Sequence, residues 1–161
     1  MNLQIREICD GDFENASHVL WKSFYQSEKN NTPMEGMELF RDLTAPISLA
    51  MNTLDGKTVL YGAFCEGALL AVGAVKEKNH VLLLYVDPAF WGKRIGSSLL
   101  FHMESCCEGE QITLNASDGG VGFYERHGYI QCGERTLRDG LISTPMVKRL
   151  GRGLEDRQNE R

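Results

Sequence analysis

At 161 residues with 42% hydrophobic content, the chain has apolar material for one sizeable core and no second domain. Its 17 basic and 22 acidic side chains give a formal charge of −5 with the acidic excess spread along the sequence, which argues against nucleic acid as a partner. Met1 to Ser17 carries Glu7, Asp10, Asp12 and Glu14 and is not a secretory signal; no segment approaches the ~20 apolar residues of a membrane span, so a cytoplasmic location is expected.

Leu3, Ile5 and Ile8 mark an opening strand, and Phe13, Ala16, Val19, Leu20 and Phe24 recur at helical spacing between Asp12 and Ser27. Asn30-Asn31-Thr32-Pro33 ends that helix. Met34 to Met51 reads as less regular helix interrupted at Pro46, a region expected to be mobile or to face substrate. Thr58 to Cys65 and Ala68 to Val75 form two strands joined by Glu66-Gly67, and a turn at Lys78-Asn79 leads into a third, Val81 to Val86, making an antiparallel meander. A helix from Lys93 to Cys106, a strand from Gln111 to Ala116 and a short helix ending at His127 follow. Strands from Tyr129 and Leu141, the last pair turning at Asp139-Gly140, complete the order. The fold class is therefore α/β (α+β): a mixed, mostly antiparallel central sheet with helices on both faces and one parallel strand-helix-strand unit of right-handed crossover. Residues 1–150 read as a single domain and 151–161 as a polar, frayed C-terminal tail.

The stretch from Val81 to Leu100 carries the chemistry. An apolar strand stops at Asp87-Pro88, and Gly92 and Gly96 then bracket Lys93-Arg94-Ile95 where a helix begins. The first amides of a helix have no internal partner and sit at the positive end of its dipole, so such a junction is suited to phosphate. The same residues are also compatible with a plain turn and a solvated cationic pair. Neither the P-loop pattern nor G-x-G-x-x-G is present. The five cysteines (Cys9, Cys65, Cys106, Cys107, Cys132) lack C-x-x-C spacing and read as thiols, and with the four histidines they offer no paired metal-ligand spacing, so no metal is expected.

Val86-Asp87-Pro88-Ala89-Phe90-Trp91-Gly92-Lys93-Arg94-Ile95-Gly96, followed by Leu99-Leu100, resembles the acetyl-CoA-binding motif [QR]-x-x-G-x-[GA] of the GNAT-type N-acetyltransferase superfamily. Its defined positions fall on Trp91, Arg94 and Gly96, and only the last matches. Trp91 replaces glutamine or arginine; Arg94 replaces a glycine, and is expected to take helical φ/ψ and turn its charge toward the phosphates. A second block, Leu114-Asn115-Ala116-Ser117 and then Gly122-Phe123-Tyr124-Glu125-Arg126-His127-Gly128-Tyr129, is similar to the family's later motif, in the same order and spacing; Pro145 to Lys148 is similar to its last strand.

The resemblance implies acetyl-CoA as co-substrate, a pantetheine arm lying where the strands ending at Val86 and Asn115 splay apart, and cofactor contacts from Tyr85, Val86, Trp91, Gly92, Lys93, Arg94, Ile95, Gly96, Ser97, Asn115 and Tyr124. On the residues alone, Asn115 reads equally as a turn or N-cap residue and Tyr124 as a core aromatic. The resemblance makes Asn115 a pantetheine contact and Tyr124 the acid that protonates the departing thiolate. The implied activity is direct acetyl transfer to a primary amine, with a small-molecule or peptide acceptor set by the first half of the chain. Glu77, Asp87 and His80 are candidate bases, none singled out. Two alternatives stay open: a non-catalytic acyl-CoA-binding or regulatory module on the same fold, and assembly as a homodimer.

Overall fold

The computed structural model describes residues 1–151; the tail expected to fray lies, from residue 152 on, outside the described residues. Strand β1 (Gln4–Glu7) leads into helix α1 (Phe13–Glu28), whose buried residues Ala16, Val19, Leu20, Ser23 and Phe24 form one face. Arg6 and Asp12, paired at 2.9 Å, hold the entrance to that helix. Pro33 cannot continue it, so the chain restarts as α2 (Met34–Leu43), and Pro46 opens α3 (Pro46–Asn52) from the first helical turn, where its missing N–H costs nothing. The irregular helix expected over this region is thus two short helices.

Strands β2 (Thr58–Cys65) and β3 (Ala68–Lys76) join through Glu66 and Gly67, both at positive φ as a tight hairpin of matching twist requires. Then come β4 (His80–Val86), α4 (Ile95–Cys106), β5 (Gln111–Ala116), α5 (Val121–Arg126), β6 (Ile130–Gln131), β7 (Thr136–Arg138) and β8 (Leu141–Arg149). The strand expected from Tyr129 is broken in two. Its first part pairs with β8 at Val147 and Met146, its second at Ser143 to Leu141, and the chain detours between them around Pro145. The turn at Asp139-Gly140 is present with both residues at positive φ.

The sheet runs β1-β2-β3-β4-β5-β8-β6, with every pair antiparallel except β4–β5. The strand periodicity sends alternate side chains to opposite faces. Leu60, Val72 and Ala74 meet α1, α2 and α3 on one face; Tyr61, Ala63, Ala71, Val75 and Val81 meet α4 on the other. Ile95, Leu99, Leu100 and Met103 of α4 are fully buried, each contributing on the order of 2 kcal/mol. The start of α4 departs from expectation: Gly92 (φ 80°) and Arg94 (φ 63°) both hold left-handed backbone, so regular helix begins only at Ile95 and not at Lys93.

One close approach fixes α2 over the end of the sheet. A Cβ on Gly36 would collide with the Gly140 backbone in the β7–β8 turn, so the two backbones touch directly. Gly36→Ala should therefore force a backbone shift and cost about 1–3 kcal/mol, lowering Tm by several degrees. Gly11→Ala, with open space around it, should leave Tm unchanged in the same melting experiment.

Candidate active site

β4 and β5 pair only at His80–Thr113 and Val81–Leu114 and then diverge. Beyond that point β4 keeps its ladder to β3 and β5 its ladder to β8, so each strand is supported on its outer side while the gap between them widens. The Asp87 amide donates to Leu70 of β3 at 2.8 Å. By the alternation of a strand, the backbone groups of Val86 and Leu84 then face the opposite edge, onto the gap.

Three contacts hold the end of β4. The Trp91 indole Nε1 donates to the Val86 carbonyl at 2.8 Å, so the residue that replaces the motif's glutamine or arginine folds back on the strand. The Asp87 carboxylate accepts from the Ala89 amide at 3.0 Å and pairs with Lys22 of α1 at 2.8 Å. Burial raises the Asp87 carboxyl, but the bonds from Lys22 and the Ala89 amide outweigh it and hold the group below the usual carboxylate range. Asp87 is held as an anion in an ion pair with Lys22.

The loop from Gly92 to Arg94 delivers the start of α4 to the mouth of the gap. No side chain caps that helix, and its first intrahelical bond is Ser98 to Arg94, leaving the amides of Ile95, Gly96 and Ser97 without a protein partner among the described residues. Arg94 keeps the left-handed conformation (φ 63°, ψ 19°) that suits the glycine it replaces; the expected helical geometry is corrected here. A Cβ on Gly96 would meet Val86 and Phe123 no closer than 3.4 Å, so alanine fits the protein itself at that position. Ser97 Oγ lies 2.8 Å from His127 Nε2, and His127 Nδ1 lies 2.7 Å from the Phe123 carbonyl. The carbonyl can only accept, so Nδ1 carries the proton and Nε2 accepts from Ser97.

Tyr85, Val86, Trp91, Gly92, Arg94, Ile95, Gly96, Ser97, Asn115 and Tyr124 all line one cleft of about 470 Å³. Lys93 does not; its ammonium stands 5.4 Å over the Phe90 ring beside the mouth. Arg94 and Arg126 line the cleft and, among the described residues, no carboxylate does, a local cationic site on a net acidic protein. Tyr124 is buried, and burial alone pushes its hydroxyl up. Its ring packs edge-on against Phe123 and Tyr129. Tyr129, fully buried, donates its hydroxyl to Glu104 of α4 at 2.9 Å, so the Gly-Tyr after α5 anchors that helix. Of the other candidate bases, Glu77 is exposed in the β3–β4 turn, and His80 sits at the far end of β4 on Thr113, its pKa lowered chiefly by burial.

Glu28 was not legible as part of this site. It ends α1, is 2% exposed, and accepts from the Gly119 amide at 3.0 Å, tying α1 to the turn that precedes α5 and Tyr124. The one signal in sequence is a carboxylate at a helix C-terminus, where the dipole disfavours it unless a tertiary partner compensates.

A second cavity of about 350 Å³ lies on the α1–α3 face. It shares Leu82, Leu83, Tyr85, Asn115 and Ser117 with the first, so the two meet at the gap.

The profile of the acetyltransferase (GNAT) domain matches residues 25–150, most of the chain. The chain belongs to the GNAT acetyltransferase family. It is an acetyltransferase domain with acetyl-CoA as co-substrate, and the cleft fits that molecule in having open helix amides and cations at one end and a narrow gap between strands at the other. A GCN5-related N-acetyltransferase from Rhodopseudomonas palustris shares the fold with TM-score 0.82 at 21% identity, over 92% of this chain and 96% of that one. The PaiA N-acetyltransferase from Thermoplasma acidophilum, solved in complex with coenzyme A, superposes with TM-score 0.73 at 21% identity, over 92% and 99%. The ribosomal-protein-S18-alanine N-acetyltransferase of Escherichia coli does so with TM-score 0.66 at 15% identity, over 92% and 94%. No curated protein sequence matches the chain.

Left-handed backbone costs a non-glycine residue about 1–2 kcal/mol, of which glycine returns roughly half through its floppier unfolded state. Arg94→Gly should therefore leave Tm unchanged or slightly raised, while weakening CoA binding and flattening its salt dependence. Melting curves and CoA titrations at low and high salt check both halves.

Proposed function

We propose that the protein transfers the acetyl group of acetyl-CoA to a primary amine by direct attack, within the gap between β4 and β5. One observation carries the reading: the first cavity runs from α4 and α5 through the gap as far as Ser23 and Ser27 of α1, and the second, on the α1–α3 face, meets it there at Tyr85, Asn115 and Ser117. One face offers helix amides and cations suited to a pyrophosphate, the other a separate chamber for an acceptor. The amides of Ile95, Gly96 and Ser97 hold the pyrophosphate, with Arg94 and Arg126 as nearby positive charge and the Gly92 turn letting the backbone approach. The exposed edge of β4 at Leu84 and Val86, faced by Asn115, holds the pantetheine arm.

An amine of pKa about 10.4 must be neutral before it attacks. Among the described residues no carboxylate lines either cavity, and Asp87 is committed to Lys22. The proton therefore leaves through solvent rather than to a dedicated base. The nitrogen lone pair forms the C–N bond, the C–S bond breaks, and the thiolate takes a proton from Tyr124, whose hydroxyl burial keeps protonated at all working pH values; the proton that the nitrogen sheds as the amide forms restores the phenol through solvent. Residues 1–150 form the single catalytic domain of this reading, in a cytoplasmic protein whose acceptor is a small molecule or peptide. The competing reading, a CoA-binding module without catalysis, drew on Trp91 and Arg94; the left-handed backbone of Arg94 preserves the loop that both readings need, and Tyr124 and Asn115 on the cleft lining favour the enzyme.

Tyr124→Phe keeps the ring contacts and should leave stability and CoA affinity nearly unchanged while lowering turnover about a hundredfold; full turnover where chemistry limits the rate would remove the residue from the mechanism. With no protein base, log kcat/KM should climb with unit slope from about pH 6 to pH 9, because the neutral amine fraction rises tenfold per pH unit below the amine pKa. A plateau near neutrality would instead reveal a titrating base.

A further inference from the structure

The second cavity restricts the acceptor. We infer that it takes a small primary amine bearing one bulky uncharged group, of the size and shape of an arylethylamine, and not a polyamine, an aminoglycoside or a basic peptide. The inference rests on the reading of the β4–β5 gap as the place of acyl transfer.

The chamber's walls set the chemistry. Phe24 and Phe40 stack at 3.8 Å between ring centroids, and Tyr85 stands edge-on to both, at 6.1 and 5.4 Å. Leu49, Leu60 and Leu83 extend the apolar lining, and Asn52, Thr58 and Ser143 add uncharged polar side chains outside the part shared with the cofactor cleft. The polar groups at the end shared with the cofactor cleft are Asn115, Ser117 and the Tyr85 hydroxyl, which burial, then Tyr124 and Glu28, push up so that it stays neutral. The Thr44 hydroxyl is already committed to the Phe40 carbonyl at 2.7 Å. Among the described residues, no side chain lining the chamber carries a formal charge at neutral pH.

The lining is uncharged and mostly apolar. A guest with one amine and one apolar body fits with its nitrogen at the gap and its body among the aromatic rings, whose edges and faces suit another ring. A second ammonium would be stripped of water with no carboxylate to receive it. At about 350 Å³ the chamber lies near the small end of ligand sites, enough for one ring system but not for a trisaccharide. The overall charge of −5 attracts polycations to the surface without providing them a place inside.

The test measures acetylated product from acetyl-CoA with 2-phenylethylamine, tryptamine, isoamylamine, spermidine, kanamycin and a lysine-rich peptide, each at the same fraction of neutral amine. The arylethylamines should exceed spermidine in kcat/KM by about a hundredfold, the discrimination a pocket of this kind supplies. Leu43→Glu, at a rim position already half exposed, should fold normally, narrow that ratio at least tenfold and leave CoA affinity unchanged. Equal or better turnover on spermidine, kanamycin or the peptide overturns the acceptor assignment and leaves acetyl transfer standing. Faster turnover with octanoyl-CoA than with acetyl-CoA assigns the chamber to an acyl chain and overturns it too. CoA binding with no acetylated product from any amine overturns the reading of the site on which the inference rests.

Discussion

Two parallel strands that pair over two residues and then part are the constraint on which the chemistry of this protein depends. His80–Thr113 and Val81–Leu114 hold β4 to β5; past them the strands need not meet, because β3 and β8 support their outer edges. A sheet cannot leave buried backbone groups unpaired without cost, about 1–3 kcal/mol for each group cut off from partner and water alike. The gap therefore either stays wet or is filled by a molecule with amides of its own. Everything around it serves that opening: the aromatic cluster of Phe24, Phe40 and Tyr85 on one side, α4 and α5 on the other.

The two departures from the family motif are resolved by conformation rather than by side-chain type. Arg94 occupies backbone space that glycine enters freely, and the rest of the loop holds it there; the cation it adds stands on the cleft lining. Trp91 spends its only donor on the Val86 carbonyl, taking one acceptor away from the gap and stiffening the corner at which the strand ends. The adjacent Asp87–Lys22 pair stiffens the same corner from α1. The ion pair depends on the carboxylate, so its contribution is present above the ordinary carboxyl pKa and is lost as pH falls through the lowered folded value.

Much of this was legible in the sequence. Apolar periodicity located α1, β2, β3, β5 and the broken helical stretch at Pro46, because each is an amphipathic or buried segment bounded by glycine, proline or asparagine. The motif from Val86 to Gly96 pointed to the cleft, which Val86, Phe90, Trp91, Gly92, Arg94, Ile95 and Gly96 line. What stayed hidden depends on tertiary contact. Nothing local reveals that Arg94 holds a left-handed conformation, that Ser97 meets His127 thirty residues on, or that Glu28 receives the Gly119 amide across ninety-one. The split of the strand after Tyr129 falls where Gly133 passes close against a partner, Pro145 of β8.

The central claim is that CoA threads the gap between β4 and β5, and a crystal structure of the protein with CoA tests it most directly. The account predicts the pyrophosphate on the amides of Ile95, Gly96 and Ser97, the pantetheine arm against the free edge of β4 at Leu84 and Val86, and the sulfur within hydrogen-bond reach of the Tyr124 hydroxyl. CoA lying outside the gap, or a thiol directed away from Tyr124, would contradict it.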